Sequence, residues 1–318
     1  MINILQKKIP SKKVGLALGS GSARGWSHIG VIRALAEAGV KVDYVAGTSI
    51  GALVGAVYAS GEIDALEEVV LQLDWKKIAY LFDVVFPKSG LIDGRKVTVF
   101  VQNHLKEINI EDLSIPFCAV STDLTTGKEV AIRDGNIIEA VRASISIPGI
   151  FTPVKKNGTF LVDGGVVNSV PVSVVREMGA DFVIAVDLNH NSIGNTGLDK
   201  ITDIDSNKRS SEKKDRQGQG GKNKLVEALD KRIKAVDFPA LTRVKEWMNK
   251  EPMPSIFEVL ISSINIMEEQ ITTIRLKTDP PDILIQPNLG HLKFLEFNRA
   301  KEAIDEGYKV SLDKIKNF

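Results

Sequence analysis

A single α/β domain with a mostly parallel central sheet is what this chain predicts, because short apolar runs alternate with helical periodicity and several runs end in small-residue turns. No unit repeats along the 318 residues, which argues against solenoids and propellers. An apolar content of 43% suffices for a substantial core at this length. The 41 Lys and Arg against 40 Asp and Glu leave a net charge of +1, mixed along the chain, and no basic motif carries interleaved aromatics. Nucleic acid is therefore not an expected partner. Cys118 is the only cysteine and sits in the apolar run 115–120, so no disulfide framework can form within one chain and a buried core thiol is expected.

Residues 1–13 form a short basic segment with Lys7, Lys8, Lys12 and Lys13 but no apolar stretch before a cleavage site. No run approaches the roughly 18 apolar residues of a membrane span, so a cytoplasmic protein is expected, soluble or peripheral at the membrane. The domain is expected over 14–318. Its first strand, 14–19, breaks into Gly19-Ser20-Gly21-Ser22-Ala23-Arg24-Gly25 before a helix over 26–38. Such a loop exposes backbone N–H groups beside a helix start, which suits a phosphate cradle or an oxyanion hole. A P-loop would end in Gly-Lys-Ser/Thr, and a dinucleotide fingerprint would need glycine where Arg24 stands, so the nucleotide readings weaken.

A second strand, 42–46, runs into Gly47-Thr48-Ser49-Ile50-Gly51 and then a helix from about Ala52. A strand-to-helix turn this tight needs small flanking residues, which Gly47 and Gly51 supply, and it leaves the Ser49 hydroxyl projecting at a helix amino end. Ser49 reads as a nucleophile. Strands are next expected near 115–121, 128–132 and 159–163. The last delivers Asp163 into a turn with Gly164 and Gly165, either as a base or as the acceptor of a structural Asx-turn. Each of these three turns follows an apolar strand, so all three are expected at the carboxyl edge of the sheet, in one site.

After a strand at 182–187, composition shifts over 189–224 to Ser, Asn, Gly, Lys and Asp, which predicts a mobile insertion. Residues 225–318 then complete the domain. Leu225, Leu229, Ile233 and Val236 mark an amphipathic stretch whose basic face, with Lys231, Arg232 and Lys234, either is solvated or contacts anionic lipid. A longer pattern of Ile256, Leu260, Ile264, Met267, Ile271 and Ile274 reads as core or acyl-pocket lining, and a last strand is expected at 283–286.

The loop ending in Arg24-Gly25, the G-x-S-x-G pentapeptide and Asp163-Gly164-Gly165 resemble, in that order, the motifs of the patatin-like phospholipase family. The serine- and proline-containing stretch 143–153 and the run 281–287 are similar to further segments of that family. The resemblance spans 14–188 and resumes near the carboxyl end. It implies a three-layer α/β/α patatin-like fold and a Ser49–Asp163 dyad. Ser49 would attack a carboxylic ester of a phospholipid or lysophospholipid to give an acyl-enzyme, with Asp163 taking the proton. It also implies an oxyanion hole from the backbone of Gly19, Ser20, Gly21 and Ser22, with Gly21 and Ser22 foremost, and neither cofactor nor metal; the apolar residues after Phe82 are candidates to cover an acyl pocket. Arg24 either orients the loop or meets a substrate phosphate.

Ser20 and Ser22 interrupt the nearly unbroken glycines usual in this loop, which puts positive-φ geometry there in question. An aspartate is normally too weak a base for a hydroxyl, so the site must raise its proton affinity or hold it within hydrogen-bonding reach. None of His28, His104, His190 and His291 takes a convincing place in a Ser-His-Asp triad. A thioesterase or acyltransferase on the same dyad, and a binding or regulatory protein retaining the fold, stand as alternatives.

Overall fold

The computed structural model describes residues 11–81, 94–104, 108–190 and 256–318. The amphipathic stretch 225–236, the residues following Phe82 and nearly all of the insertion expected at 189–224 lie outside the described residues. Its strands are β1 (Val14–Leu18), β2 (Tyr44–Thr48), β3 (Phe117–Asp123), β4 (Glu129–Ile132), β5 (Val154–Lys156), β6 (Thr159–Asp163), β7 (Phe182–Val186) and β8 (Ile283–Ile285). The helices are α1 (Ser27–Glu37), α2 (Ile50–Ala59), α3 (Ile63–Leu71), α4 (Trp75–Leu81), α5 (Arg95–His104), α6 (Ile137–Ser144), α7 (Val172–Glu177), α8 (Ile256–Thr278) and α9 (Ala300–Asn317). Among the described residues, no helix is long and apolar enough to cross a membrane.

One sheet runs in the order β5-β6-β3-β2-β1-β7-β8, with β4 also paired to β3. The stretch β3-β2-β1-β7-β8 is parallel throughout, while β4 and β6 lie antiparallel to β3 and β5 antiparallel to β6. The central strands are buried on both faces, which is why they read as unbroken apolar runs rather than alternating ones. Successive side chains still part to opposite sides. Val14, Leu16 and Leu18 join the larger core, with α1, α2 and α9, whereas Ala17 joins a smaller core built with α7. On β7, Phe182, Ile184 and Val186 face the first core, and Val183 and Ala185 the second. The sheet is thus sandwiched between two helical layers, the three-layer arrangement expected. Cys118 is fully buried, and burial pushes its thiol up to about 12.

Two local expectations change. Asn189 belongs to the folded body, only 1% exposed, because its side chain is wired into a buried polar network at the end of β7. In α8 the apolar pattern holds only in part: Ile264 is buried and Leu260 packs on a small apolar cluster, but Ile256, Met267 and Ile274 are exposed, and the buried face also carries Phe257, Ile261, Asn265, Glu268 and Thr272. The inward stripe is partly polar because it abuts the polar turns described next.

Candidate active site

β2 ends at Thr48 and α2 begins at Ile50, so Ser49 makes the turn alone, at φ 57° and ψ −123°. That backbone conformation is costly for a residue with a Cβ. The crossing is close enough that a Cβ on Gly51 would overlap the Leu18 carbonyl, and one on Gly47 the Gly51 carbonyl. Ser144, at the end of α6, holds the turn. It accepts the Ser49 N–H at 2.9 Å and donates its own hydroxyl to the Val120 carbonyl of β3 at 2.5 Å. Replacing Ser144 with alanine orphans both buried groups, at a cost of about 1–3 kcal/mol each. The expected result is a lowered melting temperature together with turnover reduced on the order of ten- to a hundredfold as the serine loses its fixed position. Wild-type values in both measurements would remove Ser144 from this role.

Asp163, 2% exposed, accepts the Ser49 hydroxyl on Oδ2 at 2.6 Å and the Gly165 N–H on Oδ1 at 2.7 Å. The Asx-turn and the serine contact weighed as alternatives are therefore both present, one on each oxygen. These residues are 114 positions apart in the chain. The expectation that strand direction carries Asp163 to the carboxyl edge is corrected, since β6 runs antiparallel to β3. Register brings it there instead: Thr48 pairs with Val120, and the next residue of β3, Ser121, pairs with Asp163. Burial, then the nearby Glu268 carboxylate, push Asp163 up to about 8 against the hydrogen bonds from Ser49 and Gly165. Desolvation has thus raised the proton affinity of this carboxyl far above that of a free aspartate.

Of the four residues expected to form an oxyanion hole, the two put foremost, Gly21 and Ser22, keep their N–H groups available. Gly19 N–H is spent on the Val186 carbonyl at 3.0 Å and Ser20 N–H on the Ser169 carbonyl at 2.9 Å. Gly21 and Ser22 keep N–H groups with no protein partner among the described residues. Ser22 adopts φ 51° despite its Cβ, and its hydroxyl donates to the Phe294 carbonyl at 2.6 Å, which holds it in that conformation. Arg24 is 3% exposed, with Nε on the Gly21 carbonyl at 3.2 Å and Nη2 on Asn189 Oδ1 at 3.3 Å. It orients the loop, and the alternative in which it meets a substrate phosphate is corrected by its burial. His28 donates from Nε2 to the Gly19 carbonyl at 2.8 Å, and burial lowers its pKa to about 4, so it is neutral and structural.

A narrow apolar cavity of about 90 Å³ opens at Ser49 and Ser22, with walls that include Trp26, Leu53, Phe100, Ile147 and Phe297. None of the six apolar residues marked on α8 lines it. Among the described residues, no group of three or more His, Cys, Asp or Glu side chains could hold a metal ion. Sequence motifs drew attention to Ser49, Asp163 and the glycine loop. They gave no role to Ser144, Ser169, Asn189 or Glu268, which contact those elements from distant parts of the chain.

The patatin-like phospholipase family model matches residues 16–176 of the 318. The chain belongs to that family. As a patatin-like phospholipase family member it is a lipid hydrolase at the level of class. It is 31% identical to an uncharacterized NTE family protein of Mycobacterium tuberculosis over 97% of this chain and 92% of that one. Human patatin-like phospholipase domain-containing protein 6 is 37% identical over 58% of this patatin-like chain, which spans only 14% of the human protein. The crystal structure of VipD from Legionella pneumophila is a more distant likeness, with a TM-score of 0.44 and 14% identity over 96% of this chain and 67% of that one.

Proposed function

We propose that the protein cleaves carboxylic esters of phospholipids or lysophospholipids through a Ser49–Asp163 dyad and an acyl-enzyme intermediate. The observation that carries this reading is the 2.6 Å contact between a strained, projecting serine and a buried carboxylate of raised proton affinity. Ser49 Oγ attacks the acyl carbonyl while its proton passes to Asp163 Oδ2. The carbonyl oxygen, now negative, faces the N–H groups of Gly21 and Ser22. Collapse expels the lysophospholipid or glycerophosphodiester alkoxide, which takes the proton back from Asp163. A water molecule, deprotonated by the same carboxylate, then releases the fatty acid and restores the serine. The apolar cavity beside Ser49 receives the acyl chain, and its walls exclude competing water from that side.

The deciding experiment combines fatty-acid release from mixed phospholipid and lysophospholipid vesicles with fluorophosphonate labelling and peptide mapping of the labelled site. Hydrolysis with the adduct on Ser49 is expected. Hydrolysis with the adduct elsewhere, or a folded protein that neither turns over nor labels, would reject the dyad.

A further inference from the structure

We propose that Glu268 of α8 is a positioning residue that ties the anion-facing loop to the Asp163 turn and holds the two halves of the site in register. The inference rests on the dyad reading above. It starts from an arrangement that no motif accounts for: a glutamate 7% exposed, on a helix more than 200 positions from the loop it contacts. Its Oε2 accepts the Ser20 hydroxyl at 2.7 Å and Asn189 Nδ2 at 2.9 Å. Ser20 Oγ also meets Ser169 Oγ at 2.7 Å and Asn189 Nδ2 at 2.9 Å. Asn189 Oδ1 then accepts from Arg24, whose Nε grips the Gly21 carbonyl. The other oxygen of Glu268 lies against Gly165 so closely that a Cβ there would overlap Oε1. Gly165 is the residue whose N–H caps Asp163. One carboxylate therefore touches the loop carrying the free N–H groups and the turn carrying the base.

Serine in place of a loop glycine is what makes the first contact: a glycine at 20 has no hydroxyl to offer. The departure from an unbroken glycine run is thus an anchor. Three charged or titratable groups face Glu268, namely Arg24 from the turn after β1, Asp163 from the end of β6 and Asp187 from the end of β7, while Glu269, next to it in sequence, acts on Arg24. Burial raises the proton affinity of Glu268, while Ser20, Arg24 and Asn189 favour its charged form. A negative charge so placed disfavours ionisation of Asp163 and strengthens it as a base.

The test uses full-length protein with Glu268→Gln, Glu268→Asp and Ser20→Ala, measured by ester turnover and by the rate of fluorophosphonate labelling across pH. Glu268→Gln is expected to move the acid-side midpoint of kcat/KM down by about one pH unit. Ser20→Ala, and Glu268→Asp with its shorter reach, are expected to lower kcat about tenfold or more with little change in KM, because the loop donors lose their anchor. A folded Glu268→Gln protein with the wild-type midpoint and wild-type kcat overturns the proposal. If that variant does not fold, Ser20→Ala decides: wild-type kcat and labelling rate overturn the proposal, and a kcat-only defect upholds it. Failure of the dyad itself looks different, since Ser49→Ala would then retain activity and labelling.

Discussion

Ser49→Ala is expected to reduce ester turnover by as much as about a millionfold, the order seen when a serine nucleophile is removed, and to abolish fluorophosphonate labelling altogether. The fold should persist, because the turn is held by the backbone N–H of residue 49 on Ser144 and by packing, not by the lost hydroxyl. Comparison with Ser49→Gly separates chemistry from strain. Both variants lack the nucleophile, yet at φ 57° and ψ −123° glycine is nearly free of the penalty that alanine keeps. The glycine variant is therefore expected to be more stable than the alanine variant by about 1–3 kcal/mol, read by chemical denaturation. Equal stabilities would mean the turn stores no strain, and substantial turnover by either variant would discard Ser49 as nucleophile.

Asp163→Asn is the second large effect, and it acts in opposite directions on activity and stability. Asparagine keeps the shape and can still cap Gly165 but cannot take the proton, so turnover is expected to fall by roughly 10,000-fold. In the wild type the base must be ionised, so kcat/KM should climb about tenfold per pH unit until it levels near pH 8. Stability runs the other way. The folded protein holds the Asp163 proton up to about 8, whereas the unfolded chain releases it near 3.8, so between those values the native state binds more protons and stability falls as pH rises. Each pH unit in that window is worth on the order of 1.4 kcal/mol for this group. The asparagine variant escapes that loss and should melt higher than wild type at pH 9, with the difference shrinking toward pH 4. A wild-type rate profile already flat from pH 5 upward, or no alkaline gain in melting temperature for Asp163→Asn, would show that the carboxyl is not perturbed in this way.

Where the sequence was transparent, the physics was local. The strands β1, β2, β3 and β7 announce themselves as apolar runs because a sheet covered on both faces buries both alternating sets of side chains. The two motif turns are visible because tight crossings such as that of Gly51 over Leu18 admit no side chain. β5 stayed hidden: Val154-Lys155-Lys156 is three residues, two of them charged, on the sheet margin, with too little alternation to register. The facing of α8 was misleading for a different reason. Hydrophobic periodicity assumes that what is buried is apolar, yet Asn265, Glu268 and Thr272 are buried here, Glu268 because it accepts from Ser20 and Asn189. Ser144 and Glu268 act through contacts 95 and 248 positions away, which no spacing rule connects. That the Gly19 and Ser20 N–H groups are occupied likewise depends on Val186 and Ser169 arriving from elsewhere to accept them, although Gly21 and Ser22 are already the donors favoured from the sequence.

The position of β7 bears on where this protein can be cut. The region matched by the family ends at residue 176, before β7 begins at Phe182, yet β7 lies between β1 and β8 and pairs with β1 along all five of its residues. A fragment stopping at the matched boundary would leave β1 as a bare, wholly apolar margin with a row of unpaired peptide groups, an invitation to intermolecular pairing. It would also release the Gly19 N–H from Val186 and lose α8 and α9. The stretch the family model matches is therefore smaller than the unit that must fold around it, and β7, α8 and α9 are architecture the Ser49 turn rests on.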